Sequence, residues 1–405
     1  MEVRFLYVRH GETLFNRTGR LQGNCDSPLT EEGIAATVDT ASSLACVPVS
    51  RCYVSPLERT VDTAEILCRG RNVRIMEHAG LLEFDFGDLD GNKLSEIQDV
   101  IKEQGMDFSA VNGESCAHFN ARMHAFFADV LQEAQDGETV MLVGHGAWYR
   151  HMEMELFGQR GARLSNACFF FFRYKDGTWV REDGPYTASQ YRQSQQKTVT
   201  FYYVRHGLTL FNQHHRMQGW AGGPLSQEGI QQVYAAKEAL QDVHFDAAYT
   251  STAFRARETM KILLEERGIT PKADKRLREV FFGKLEGEYY PAVMEEVERR
   301  HITEDWEDVG GENRQQIHAR LGSFFQEAAD RAMDGDTILC TAHGILYMNV
   351  LEVLFGISRQ DAYQDARERN ANPMPGCGIF RFRYENGKFI FEQYMRRPEE
   401  WRDNG

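Results

Sequence analysis

Two stretches decide how this chain reads: "FLYVRHGETLFNRTGRLQGNCDSPLTEEGI", Phe5 to Ile34, and "FYYVRHGLTLFNQHHRMQGWAGGPLSQEGI", Phe201 to Ile230. Eighteen of their 30 aligned positions are identical, at an offset of 196. The offset continues outward. Ser55 and Arg59 match Ser251 and Arg255, and Glu83 in "LLEFDFGDLDG" matches Glu279 in "LREVFFGKLEG". From "VNGE" (Val111 to Glu114) and "VGGE" (Val309 to Glu312) the offset is 198, so Gly144-His145-Gly146 meets Ala342-His343-Gly344. Near the ends, "FFRYKDGTWV" meets "RFRYENGKFI" at 210, so twelve extra residues lie between Phe355 and Gly376. A repeat this long, with differences confined to short insertions, is two copies of one domain and not a solenoid. The domains are expected at 1–190 and 198–405, joined through the Gln- and Ser-rich "TASQYRQSQQKT", Thr187 to Thr198.

Each copy alternates strand and helix patterns. "RFLYV" reads as a strand ending at Arg-His-Gly. Thr30 reads as a helix N-cap with Glu32 in the first turn, and Pro56 as a residue of the next helix's first turn. "TVMLVGHG" leads into "AWYRHMEMELFG", and Asp-Gly and Asn-Gly turns close each copy with a hairpin. The fold class is α/β: in each copy a mostly parallel sheet with helices on both faces. Ligands of such sheets bind at the carboxyl ends of the strands, where His10, Arg59 and His145 fall.

The composition narrows the function. At 405 residues, 42% hydrophobic and 26% charged, the chain is long enough for two cores. No apolar run approaches the ~18 residues of a membrane span. The opening "VRFLYV" reads as strand and not as a leader. The eight cysteines are scattered without metal-ligand spacing, so a reduced, cytoplasmic protein is expected. A net charge of −14 argues against nucleic-acid and anionic-membrane partners. It also requires an anionic substrate to be drawn in by local positive charge.

Two histidines, two arginines and one glutamate gather at the strand ends of each copy. Arginine forks match a phosphate bidentately. A neutral imidazole can attack phosphorus, and a glutamate with a raised pKa can protonate a leaving alkoxide. Single residues would not carry this reading. A histidine at a strand end is usually structural, and an arginine on a helix usually pairs with a nearby acid. Four motifs recurring in order and spacing override those defaults. Arg257 competes with Arg255, which holds the register, and Asp85 and Asp88 compete with Glu83. His214 and His215 read as pocket rim or surface, and Cys25 as packing.

The chain resembles two tandem members of the histidine phosphatase superfamily, the phosphoglycerate mutase-like or "RHG" family, over nearly its whole length. The first copy carries the pattern as Arg9, His10, Gly11, Thr13, Asn16, Arg59, Glu83 and His145. The second carries it as Arg205, His206, Gly207, Thr209, Asn212, Arg255, Glu279 and His343. The resemblance implies His10 and His206 as phosphorylated nucleophiles. It implies phosphate pockets of Arg9, Asn16, Arg59 and His145, and of Arg205, Asn212, Arg255 and His343. Glu83 and Glu279 become the proton donors, with no metal or organic cofactor. The second copy departs from the pattern in Leu208, Ala342 and Gly376, where the first has Glu12, Gly144 and Asn166.

The expected activity is phosphomonoester hydrolysis on small phosphorylated metabolites, at two sites. A phosphoglycerate mutase-type phosphotransferase is the alternative. Mutases of the family carry a long insertion between the glutamate and the late histidine, an interval of only 62 and 64 residues here. A third reading makes one copy an inactive binding module, although neither has lost a histidine or an arginine. The rims are expected to set specificity. Glu12 and Asn24-Cys25-Asp26 would repel a second anionic group in the first copy. Trp220-Ala221-Gly222 would offer an aromatic surface in the second, with the twelve-residue insertion as a loop over the pocket.

Overall fold

The computed structural model describes residues 1–105, 107–159, 163–182 and 184–402. They form two compact units, Met1–Arg192 and Gln193–Gly405. The stretch 187–198 contains a helix, Ala188–Ser194, and the unit boundary falls within it. That helix is held in the first unit by Arg192, whose Nη2 donates to the Asp39 carboxylate at 2.7 Å.

The first unit is built on six strands: β1 (Glu2–Arg9), β2 (Arg51–Val54), β3 (Arg74–Glu77), β4 (Thr139–Gly144), β5 (Phe169–Lys175) and β6 (Thr178–Arg181). Their order is β3-β2-β4-β1-β5-β6. The first four run parallel, while β5 pairs antiparallel to β1 and β6 antiparallel to β5. The second unit repeats this with β7 (Thr198–Arg205), β8 (Ala247–Ser251), β9 (Lys272–Asp274), β10 (Thr337–Ala342), β11 (Ile379–Glu385) and β12 (Lys388–Phe391). Its order, β12-β11-β7-β10-β8-β9, is the same arrangement traversed from the other edge.

Strand alternation divides each core in two. Phe5 and Tyr7 of β1 point into a cluster with Phe127 and Trp148, from the helices Cys116–Glu133 and Gly146–Phe157. Leu6 and Val8 point the other way, toward Leu44, Ala64 and Leu67, at or beside the helices Glu31–Ser43 and Glu58–Cys68. Phe201 and Tyr203 against Tyr202 and Val204 make the same division in β7. Helices therefore cover both faces of each sheet. Each large buried side chain contributes about 1.5–3 kcal/mol to that packing.

Thr30 caps its helix by accepting the Gly33 N–H at 3.0 Å. The hairpin turns place Asp176, Gly177, Asn386 and Gly387 at positive φ, as two-residue turns of this type require. Pro56 lies outside its helix, which begins at Glu58 with Leu57 as N-cap. The Glu58 N–H is taken by the carboxylate of Asp26, a distant cap invisible in local sequence. The insertion of the second unit is a helix, Arg359–Glu368, opened by a Ser358/Asp361 capping box, and not a loop. Among the described residues, no helix is long and apolar enough to cross a membrane.

Candidate active site

Three strand ends converge in each unit. β1 delivers Arg9 and His10, the residue after β2 is Ser55, and β4 delivers His145 as N-cap of the helix Gly146–Phe157. The His10 N–H donates to the Gly144 carbonyl at 3.0 Å, and His206 does the same to Ala342 at 3.0 Å. Tyr7 locks the other strand end: its hydroxyl donates to the His145 carbonyl at 2.8 Å and accepts the His145 N–H at 2.7 Å. Tyr203 holds His343 identically, at 2.7 and 3.0 Å. These bonds bring the two histidines of each site together, with ring centroids 5.4 Å apart in the first unit and 5.2 Å in the second.

His10 is buried, and its Nδ1–H donates to the Gly11 carbonyl at 2.8 Å. His206 has the same bond to Gly207 at 2.8 Å. That bond fixes the tautomer and leaves Nε2 with a free lone pair. Burial, and then the charges of Arg9 and Arg59, hold the His10 pKa well below the usual histidine value. Burial, Arg255 and Arg205 do the same to His206. Both imidazoles are therefore neutral at pH 7, the form in which an imidazole can attack phosphorus. Gly11 permits the tight approach: a Cβ there would lie 2.8 Å from the Gly33 carbonyl oxygen.

His145 is fully buried, with Nε2 at 2.8 Å from Ser55 Oγ and Nδ1 accepting from Arg59 Nη2 at 3.1 Å. His343 keeps the Ser251 contact at 2.8 Å, while its Nδ1 has no hydrogen-bond partner. Burial is the main cause of the strongly lowered pKa of both.

The arginines are anchored by their outer nitrogens. Arg9 Nη1 donates to the Leu164 carbonyl at 2.7 Å, and Arg205 Nη1 to that of Met374. Arg59 donates to the carbonyls of Cys25 and Gly23 at 2.9 and 2.7 Å. Arg255 donates to those of Ala221 and Gly219 at 3.2 and 2.8 Å. Burial lowers the pKa of Arg9 and of Arg255 to about 10, so both remain cationic at neutral pH. Arg257, the competitor of Arg255 in sequence, is exposed.

Gln22 and Gln218 belong to this group and were not singled out from sequence. Each Oε1 accepts a threonine hydroxyl, Thr13 or Thr209, at 2.8 Å, which aims the NH2 end away from that bond. The buried Nε atoms of Arg9 and Arg59 and Nε2 of Gln22 have no partner, and neither do those of Arg205, Arg255 and Gln218. The same three orphaned donors recur in each unit as a candidate anion cradle, because such groups are costly when left unsatisfied. The signal was present: the Gln is identical in both repeats. Asn16 and Asn212 join the cradle's edge. Their Oδ1 atoms accept the N–H of Thr13 and Thr209 at 3.3 and 3.2 Å, leaving the NH2 end for a ligand.

Glu83 sits on the N-terminus of the helix Gly146–Phe157. Its Oε1 accepts from Trp148 and Phe84 at 2.7 and 3.1 Å, and Oε2 from Ala147 at 2.9 Å. Glu279 repeats this with Leu346, Val280 and Ile345 at 2.8, 3.0 and 3.1 Å. Burial raises both pKa values against the opposing N–H bonds, so each carboxyl holds its proton above the ordinary range. Oε2, with a single bond, has room for that proton. Asp85 is occupied by the Gly87 N–H and Asp88 by Asn112, which leaves Glu83 as the candidate acid of the site.

The rims differ from expectation. Glu12 is tied to Arg17 at 2.7 Å and Asp26 to Arg59 at 3.0 Å, so neither is a free negative charge. Trp220 stacks on Phe281 with centroids 4.6 Å apart and donates Nε1 to the Glu279 carbonyl at 3.0 Å. It stays exposed, outside the lining of the second unit's cleft. That cleft, about 930 Å³, runs from Arg205, His206 and Glu279 to the inserted helix, and His215 lies on its wall. Cys25 is half-buried, and its carbonyl serves Arg59. Among the described residues, no three His, Cys, Asp or Glu side chains group as metal ligands.

The model of the histidine phosphatase superfamily (branch 1) matches residues 5–183 and again 201–395. The probable phosphoglycerate mutase GpmB of Klebsiella pneumoniae (strain 342) is 30% identical over 187 residues, 43% of this chain and 86% of that protein. Its counterpart in Cronobacter sakazakii is also 30% identical over 187 residues, with the same coverage of 43% and 86%. Among solved structures, a phosphoglycerate mutase from Bacillus anthracis str. Sterne is 25% identical (TM-score 0.41), over 49% of this chain and 93% of that one. A putative alpha-ribazole-5'-P phosphatase from Escherichia coli str. K-12 is 24% identical (TM-score 0.40), over 46% and 97%. Through both of its units, the chain belongs to the histidine phosphatase superfamily.

Proposed function

We propose that both units are phosphomonoesterases that pass the phosphoryl group through His10 and His206, and that they act on small phosphorylated metabolites. The observation that carries this reading is the free Nε2 of each nucleophile beside three orphaned cationic or amide donors. Nε2 attacks phosphorus and the P–O ester bond breaks. The departing oxygen takes the proton of Glu83 or Glu279. Water then attacks the phosphohistidine, gives a proton back to the carboxylate, and the N–P bond breaks to release phosphate. Charge on the transferring oxygens is met by the two arginines and the glutamine, which are fixed before substrate arrives. These fixed guanidinium and amide donors offset that charge without a metal ion, so metal-independent hydrolysis is the expected chemistry.

Hydrolysis is favoured over mutase chemistry by the short intervals of 62 and 64 residues between acid and second histidine. In the first unit that interval contains two α-helices, Leu94–Gln104 and Cys116–Glu133, and in the second Tyr290–Thr303 and Arg314–Arg331. All eight cysteines are free thiols, which supports a reducing, cytoplasmic setting. The deciding experiment follows product identity. Phosphate release from a panel of metabolite monoesters, persisting in a strong chelator, is the expected result. Isomerisation of phosphoglycerate that depends on a bisphosphate primer, without net phosphate release, overturns it.

A further inference from the structure

In the second unit, the cleft that starts at His206 extends to a polar cluster that the phosphoryl chemistry does not use. Glu304 closes the helix Tyr290–Thr303 in the left-handed region, with φ 52°, and its side chain is only 8% exposed. Its Oε1 is held by Arg359 Nη2 from the inserted helix. Glu304 is among the residues that line the cleft, and its buried Oε2 has no hydrogen-bond partner. His301 stands beside it, with Nδ1 3.8 Å from Glu304 Oε1, and that Nδ1 is also unpartnered. Arg359 Nη1 holds the His301 carbonyl at 3.3 Å, so the inserted helix fixes both residues. Phe282, Tyr290 and Tyr363 supply apolar walls to the same cleft.

A buried carboxylate oxygen and a buried imidazole nitrogen left unsatisfied are costly unless a ligand completes them. Arg359 already balances the Glu304 charge, so the missing partner is a neutral donor and not a cation. A hydroxyl donates to Glu304 Oε2, and a neighbouring hydroxyl donates to or accepts from His301 Nδ1. Aromatic walls suit the C–H faces of such a molecule. We propose that Glu304, His301 and Arg359 form a leaving-group subsite of the second unit that recognises a polyhydroxylated alcohol, so that this unit dephosphorylates polyol- or sugar-type monoesters. The inference rests on the phosphatase reading above. The first unit has no such cluster in its sequence: Met106 stands opposite Glu304 in the repeat, and the residues that bring Arg359 are absent.

The test uses the full chain with His10→Ala, which reports the second unit. The measured quantity is the ratio of kcat/KM for a six-carbon polyol monophosphate to that for hexyl phosphate, with an aryl phosphate as reference. The polyol ester is expected to exceed the alkyl ester at least tenfold. Glu304→Gln and His301→Leu should each shrink its advantage over hexyl phosphate by about tenfold, the effect of losing a hydrogen bond to a charged or buried group. Using a ratio discounts any general loss of folded enzyme. An alkyl ester that equals the polyol ester, or variants that leave the ratios unchanged, overturns the subsite. Absence of aryl phosphate hydrolysis would instead fault the phosphatase reading of this unit. Calorimetric binding then decides the subsite separately. Polyol monophosphate binding more tightly than inorganic phosphate, and more weakly to Glu304→Gln, supports it; equal binding refutes it.

Discussion

Arg59 and Arg255 occupy the same place in their units, yet only Arg59 is paired with a carboxylate, Asp26. Gly222 stands at the Asp26 position in the second unit, and Arg255 rests on two backbone carbonyls alone. A second difference lies on the opposite side of the nucleophile. In the first unit Asn166 Nδ2 lies 3.1 Å from the His10 carbonyl oxygen and 2.8 Å from Asn16 Oδ1. In the second, Gly376 provides no side chain, and Gln232 occupies the space while its Oε1 accepts the Leu208 N–H at 3.0 Å. The atoms assigned to phosphate are thus the same in both units, while the atoms that support them are not. Two sites can share one chemistry and diverge in affinity, substrate range and robustness through their supports.

The largest test of equivalence is removal of each nucleophile. His10→Ala and His206→Ala should each abolish phosphoryl capture at one site, a loss of 10³-fold or more for that unit, on the order of the non-additive losses seen when a nucleophile is removed. Each single variant should retain the other unit's activity and its acid-labile phosphohistidine, and the double variant should retain neither. If one single variant already eliminates all turnover, the other unit is a binding module and the comparison becomes one between an enzyme and a relic.

The next effect is smaller and depends on the leaving group. Glu83→Gln and Glu279→Gln should slow alkyl phosphate hydrolysis by roughly 10²-fold, and aryl phosphate hydrolysis far less, because an aryl oxide needs little protonation. The pH dependence has a definite sign. The histidine pKa values are lowered, so the nucleophiles stay neutral as pH falls through the usual histidine range. The glutamate pKa values are raised, so the acid is lost only as pH rises above the ordinary carboxylate value. Alkyl phosphate kcat should therefore peak on the acid side of neutrality and fall with rising pH, in a limb that the Gln variants lack. A flat profile, or a limb retained in the variants, would place the proton donor elsewhere.

Much of this site was legible in the sequence because its residues follow strand ends, and strand ends are marked by a change of hydrophobic period. Arg9-His10, Arg59 and His145 were singled out that way and Glu83 through its repeated motif and the family resemblance, and the repeat supplied a second reading of each. Gln22 and Gln218 escaped because an uncharged loop residue carries no local signature of chemistry, although their identity across the repeat marked them. Asp26 and Glu12 were read as free rim charges, and their pairing with Arg59 and Arg17 is a product of chain folding across the loop. Trp220 was read as an aromatic surface of the pocket; it is exposed, but its ring stacks on Phe281 and its Nε1 bonds the Glu279 carbonyl, outside the lining of the cleft. The inserted helix was legible in principle, since Ser358 and Asp361 spell a capping box.

Asp26→Asn sharpens the comparison at the arginine. A carboxylate 3.0 Å from Arg59 Nη1 competes with phosphate for the same guanidinium. Its neutralisation should lower the inhibition constant of inorganic phosphate at the first site severalfold and bring it toward that of the second. Stability should fall by about 1–2 kcal/mol, because a charge-assisted bond becomes a neutral one. The reverse exchange, Gly222→Asp, is not symmetric: a Cβ there would lie 2.6 Å from Arg255 Nη1 and 2.7 Å from Gln218 Nε2, so the cradle must move. Unchanged phosphate inhibition in Asp26→Asn would show that the pair fixes Arg59 geometry without tuning its affinity.

The smallest effect is expected at the other support. Asn166→Gly removes the amide that ties the His10 carbonyl to Asn16, and should cost the first unit about 1–2 kcal/mol in stability with a severalfold loss in kcat. Ala36 is exposed on the helix Glu31–Ser43 and corresponds to Gln232 in the second unit. Adding Ala36→Gln to Asn166→Gly reproduces the second unit's arrangement, in which a helix-borne glutamine reaches the backbone just after the nucleophile. The double variant should recover a large part of both losses, read as unfolding midpoint and as kcat on an aryl phosphate with His206→Ala in the background. Recovery would establish that Asn166 and Gln232 are alternative solutions to one mechanical problem, holding the Arg-His-Gly turn still while phosphate is transferred. No recovery would mean that the second unit holds its turn by other contacts, such as the Tyr203 bonds to His343 that both units share in form.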